Sequence, residues 1–114
     1  MDGGPTDLQN LHLYKWSQLG PGPELEAFPH LCRLVLQNCR WDTLPTNMEQ
    51  LTSLKALTIS TCWNIWSLPT LPRSLEYFYL NYCNDEFIKS CGTVGHPNCR
   101  KLEHVRLKEI MRLA

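Results

Sequence analysis

LKALTISTCWNIWSLP, residues 54–69, carries two rhythms at once. Leu54, Leu57 and Ile59 fall in the frame L-x-x-L-x-L, Cys62 comes three residues later, and Leu68-Pro69 closes the segment. Neighbouring side chains on a strand face opposite ways, so the frame puts its apolar residues inward from a short strand and turns Ala56, Thr58 and Ser60 outward.

The same frame recurs at Leu8-Leu11-Leu13-Trp16, Leu31-Leu34-Leu36-Cys39, Leu75-Phe78-Leu80-Cys83 and Leu102-Val105-Leu107-Ile110. Successive starts are 23, 23, 21 and 27 residues apart, close to the roughly 20–29 residues of a leucine-rich repeat. Chance recurrence of leucine does not explain why Cys39, Cys62 and Cys83 keep one phase. The pattern predicts an α/β leucine-rich-repeat solenoid, a short horseshoe. It would have a parallel concave sheet of about five strands and mostly irregular convex connections.

Composition sets the bounds. A chain of 114 residues with zero net charge allows one domain and gives no general attraction to nucleic acid or to an anionic membrane. No apolar run approaches the ~18 residues that cross a bilayer, and MDGGPTDLQN at the start has neither the basic nor the apolar region of a secretory signal. A cytoplasmic location is expected. The six cysteines are expected to be reduced, because three of them share one repeat position and cannot all pair; a buried thiol there acts as a small hydrophobe.

Residues 1–7 are expected to be disordered, and 8–114 to form the repeat domain. No amphipathic cap precedes Leu8, which suggests a fragment of a longer solenoid. Gly20-Pro21-Gly22-Pro23 predicts an irregular connection, whereas Thr46-Asn47-Met48-Glu49 has the form of a capping box and predicts a helical turn through Leu51. Trp63 and Trp66 fit either convex-side core or an exposed patch, with partial burial expected. Leu68-Pro69-Thr70-Leu71-Pro72 should cross extended, since each proline disfavours α at the residue before it. Asn84-Asp85 should cap a helix Glu86–Cys91 stopped by Gly92, with Thr93–Cys99 a loop and Leu102–Ile110 the closing repeat.

These features resemble the leucine-rich-repeat region of plant nucleotide-binding disease-resistance proteins, particularly the C-terminal repeats of the grass type. The resemblance rests on L-x-x-L-x-L-x-x-C with trailing Leu44-Pro45 and Leu68-Pro69, on the connector Leu71-Pro72-Arg73-Ser74-Leu75, and above all on the run Cys83–Asn98. It implies a protein-recognition module of an intracellular immune receptor, acting in defence. The implied partner is a pathogen effector, a host protein or the receptor's own nucleotide-binding domain. The family's G-x-x-x-x-G-K-[ST] phosphate loop does not occur, so nucleotide switching is not carried over. The other reading is a structural C-terminal cap with no ligand of its own.

If the strands stack in register, three outward columns form: Asn10, Arg33, Ala56, Tyr77 and His104; His12, Val35, Thr58, Tyr79 and Arg106; Tyr14, Gln37, Ser60, Asn81 and Lys108. Tyrosine and arginine combine wide contact area with directed hydrogen bonds, which makes Tyr77, Tyr79, Arg33 and Arg106 the leading protein-binding candidates. His12, Tyr14, Gln37, Thr58, Asn81 and His104 surround them. Zinc at Cys91, His96, Cys99 and His104 is disfavoured, because the spacing fits no common finger. Nucleophile and base do not converge, so neither an enzyme nor a cofactor is expected. Basic residues alternate with Glu76, Glu103 and Glu109, which argues against nucleic acid.

Overall fold

The computed structural model describes residues 9–15, 29–40, 44 and 46–111, with 46 and 47 described by backbone alone. The expectations for residues 1–8, Trp16, the Gly20–Pro23 connection, Pro45 and residues 112–114 lie outside the described residues. Strands form at β1 (Asn10–Tyr14), β2 (Arg33–Gln37), β3 (Ala56–Ser60), β4 (Tyr77–Asn81) and β5 (Leu107–Ile110). They make one five-stranded parallel sheet in which each strand pairs with the next in the chain. Parallel neighbours require a crossover between them, so the chain returns to the same end after every strand, an arrangement compatible with a solenoid.

Inward residues build the core. Leu34 and Leu36, Leu57 and Ile59, and Phe78 and Leu80 are wholly buried, and they pack against Leu31, Leu54, Leu75 and Leu102 together with Met48, Leu51, Ile65, Leu68 and Leu71 from the crossings. β1 is less covered, with Leu11 half-buried.

The entrances of β2, β3 and β4 and the exits of β1 to β4 are built in the same way from turn to turn. At the entrance one carbonyl of the preceding turn accepts two amides: Gln9 from Cys32 and Arg33, Cys32 from Lys55 and Ala56, Lys55 from Glu76 and Tyr77. At the exit the residue after the strand turns left-handed: Lys15, Asn38, Thr61 and Tyr82 have φ of 56°, 58°, 55° and 51°. None of them is glycine. The left-handed turn keeps the amide on the ladder, with Asn38 N–H donating to Ser60 at 2.9 Å and Thr61 N–H to Asn81 at 3.1 Å, while swinging the next residue under the strand. That next residue is Cys39, Cys62 or Cys83, each buried and free.

These thiols close the bend. Cys39 Sγ donates to Leu13 O at 3.4 Å and Cys62 Sγ to Leu36 O at 3.6 Å, both reaching the preceding turn. Cys83 Sγ bonds Asn81 O at 3.4 Å. Burial pushes Cys62 up to about 12 and Cys83 up to about 11, so both stay protonated donors across the ordinary pH range.

The described parts of the β2–β3 and β3–β4 crossings are mostly irregular. Residues Thr46–Gln50 form a 3-10 turn where the helical turn is predicted, and residues 68–72 hold no helix. In the connector, Ser74 Oγ donates to Leu54 O at 2.7 Å, tying one crossing to the turn before it. Helix α1 (Asp85–Cys91) starts at Asn84, whose Oδ1 accepts from Glu86 N at 2.8 Å and Phe87 N at 3.4 Å. Gly92 ends it at φ −100°, a conformation open to any residue, with its N–H on Lys89 and Ser90 carbonyls.

Two segments depart from the expected structure. Thr93–Cys99 is not all loop, because α2 (Pro97–Arg100) begins inside it. Proline at the first helical position needs no amide partner, and His96 Nδ1 caps the turn by accepting from Asn98 N at 3.0 Å. Trp66 is 65% exposed and Trp63 48%, so both rings stand on the surface, against the partial burial expected of the pair. The inward place in that segment goes instead to Ile65, which is wholly buried.

The α2 turn carries the one buried polar residue of the described core, Asn98. Its Oδ1 accepts from Leu68 N at 2.9 Å, and its Nδ2 donates to Ser90 Oγ at 2.8 Å and Trp66 O at 3.2 Å. One side chain therefore joins the β3–β4 crossing to both helices.

Candidate functional site

Alternation along four strands lifts eight of the predicted side chains onto the outward face of the sheet, in three columns. Asn10, Arg33, Ala56 and Tyr77 lie opposite one another, as do His12, Val35, Thr58 and Tyr79, and Tyr14, Gln37, Ser60 and Asn81. Strand neighbours about 4.8 Å apart make this one continuous surface.

His104 and Arg106 do not join it. Leu107, not His104, pairs with Tyr77; Glu109, not Arg106, pairs with Tyr79; and Lys108 pairs with Phe78 instead of following Asn81. The physical reason is how Leu102 is used. It is wholly buried, but in the turns that follow α2, so Val105 takes the place that Leu75 holds in the preceding turn and the frame slides three residues along. His104 is turned to the crossings, where its Nε2 meets Pro72 O at 2.8 Å. Arg106 is exposed just before β5.

The face is internally bonded. Tyr77 OH donates to Glu109 Oε1 at 2.7 Å, and that bond, followed by desolvation, raises the Tyr77 pKa above its ordinary value. Asn81 Nδ2 donates to Tyr79 OH at 2.9 Å, and Tyr79 OH in turn points at Met111 Sδ, 3.5 Å away. Asn81 Oδ1 is buried and has no hydrogen-bond partner. At the other edge His12 Nε2 lies 2.9 Å from Gln37 Oε1; the amide oxygen can only accept, so the ring donates. The His12 ring stands edge-on to Tyr14, and Lys15 Nζ sits 5.4 Å from the Tyr14 ring centroid.

Held this way, the aromatic rings offer area and hydroxyls without needing to be ordered by a partner. That reduces the entropic cost of binding. Leu107, Glu109 and Met111 belong to this surface and are missed by sequence reasoning, since Leu102 opens the L-x-x-L-x-L frame as well as Val105 does. The disfavoured zinc set is not gathered: His96 Nδ1 is committed to its cap, His104 Nε2 to Pro72, and no metal-holding group of three occurs among the described residues. Nor is any described helix long and apolar enough to cross a membrane.

No family model matches the chain, and neither a curated protein nor a solved structure gives a match to it.

Proposed function

We propose that this chain is a leucine-rich-repeat solenoid that recognises a protein on the concave face of its sheet. It would act as the C-terminal repeats of an intracellular plant immune receptor do in defence. The partner is a pathogen effector, a host protein or the receptor's own nucleotide-binding domain, met in the cytoplasm. The observation that supports this reading most is the in-register outward display of Arg33, Tyr77 and Tyr79 on strands pinned at both ends.

The double variant Tyr77→Ala/Tyr79→Ala tests it. Partner capture from plant cytosol, followed by identification, should be lost in that variant and retained in Trp63→Ala, with circular dichroism unchanged in both. Capture that survives the double variant sinks the reading.

A second reading is a structural cap that closes a longer solenoid and holds no ligand. It is favoured by β5, where Lys108 is exposed at the position that Phe78 fills with a wholly buried ring. A charge at that point discourages further strand stacking. On this reading only buried changes such as Leu57→Ala have an effect.

A further inference from the structure

A groove of ≈ 360 Å³ lies among the crossings, between Thr70–Arg73 on one wall and Arg100–His104 on the other. Its chemistry is one-sided. Arg73, Arg100 and Lys101 line it with His104, and Glu103 is the single acid. In a chain with zero net charge, this is a local concentration of cations and not a share of a general excess.

Two of the four basic groups are held in place by backbone carbonyls. Lys101 Nζ donates to Leu68 O at 2.8 Å, which fixes the ammonium and leaves two of its donors unused. His104 Nε2 donates to Pro72 O at 2.8 Å, since a carbonyl can only accept, and this leaves Nδ1 unspent. Arg73 and Arg100 come from opposite walls, both exposed, and neither is ion-paired among the described residues. Asn98, bonded to Leu68 N, sits in the same helix as Arg100 and holds the two walls together.

Unpaired guanidinium groups present planar forks that match phosphate oxygens two at a time. The volume falls at the low end of small-molecule sites, about 300–1,000 Å³, and exceeds the needs of a single phosphate. We propose that this groove binds a small phosphate ester bearing two phosphoryl groups, one gripped from each wall by Arg73 and Arg100, with Lys101 between. The site does not depend on what the sheet face binds.

Inorganic pyrophosphate and orthophosphate, titrated calorimetrically into the full chain at low salt, test the proposal. Saturable pyrophosphate binding is expected, about tenfold tighter than orthophosphate. Arg73→Gln and Arg100→Gln should each weaken it by about tenfold, with circular dichroism unchanged, whereas the exposed cation at Lys89 can be changed to Gln without effect. Absence of saturable binding overturns the proposal, as does equal weakening by Lys89→Gln. A glutamate-rich peptide that binds more tightly than pyrophosphate and is lost with the same two arginines also overturns it, in favour of an acidic protein segment.

Discussion

Thr61 holds a conformation that a β-branched residue rarely adopts, φ 55°, because the exit turn requires it. The left-handed region costs an ordinary residue roughly 1–2 kcal/mol, and glycine escapes that at an entropic cost of about 0.5–1 kcal/mol. Thr61→Gly should therefore raise stability by up to about 1 kcal/mol, whereas Asn38→Gly should change it little, since asparagine tolerates φ 58°. Urea midpoints of the three proteins measure the difference. Asn98→Ala removes the acceptor of a buried Leu68 amide, and calorimetric unfolding should show a loss of roughly 1–3 kcal/mol. Glu109→Gln tests the face more gently. With the carboxylate gone, the Tyr77 pKa should fall back towards its ordinary value, read by ultraviolet titration of tyrosinate; a curve identical to wild type would mean that the Tyr77–Glu109 bond does not form in solution.

Among the elements, the first four strands were legible because leucine, isoleucine and phenylalanine mark one face of each, and the alternation fixes which residues look out. Asn84 as a helix cap was legible for a similar reason, since a short polar acceptor before an apolar pair has few other uses. β5 was not. Its burial alternation is almost gone, and Leu102 fits the repeat frame while serving the turn after α2. The left-handed exits were equally hidden, because lysine, threonine and tyrosine carry no propensity for positive φ and the turn is imposed by the ladder on either side. Asn98 gave no signal either; a buried amide is defined by partners such as Trp66, 32 residues away. Leu57→Ala, in the middle of β3, should cost roughly 2–5 kcal/mol by leaving a cavity, and Lys108→Ala in β5 should cost almost nothing. Equal losses in the two would contradict the shifted frame.

The whole molecule should be sensitive to alkali. Burial raises Cys62, Cys83 and Cys91 from 9.0 to about 12, about 11 and about 12. Their contribution is fully present below pH 9.0, where they are protonated in both states. It is lost as pH rises from there towards the folded values, because the unfolded chain can release those protons and the core cannot. Near pH 10.5 each thiol should have cost on the order of 1–2 kcal/mol, seen as a falling urea midpoint under reducing conditions, and Cys62→Ala should flatten that fall. The shared entrance carbonyls have a mechanical consequence. Among the described residues every strand is fastened only to its neighbouring turns, so tension applied between the first and last strands loads the ladders one after another, as in a zipper. Optical-trap extension should show stepwise peeling at low force, the two turns of 23 residues between β1 and β3 each releasing about 80 Å of chain.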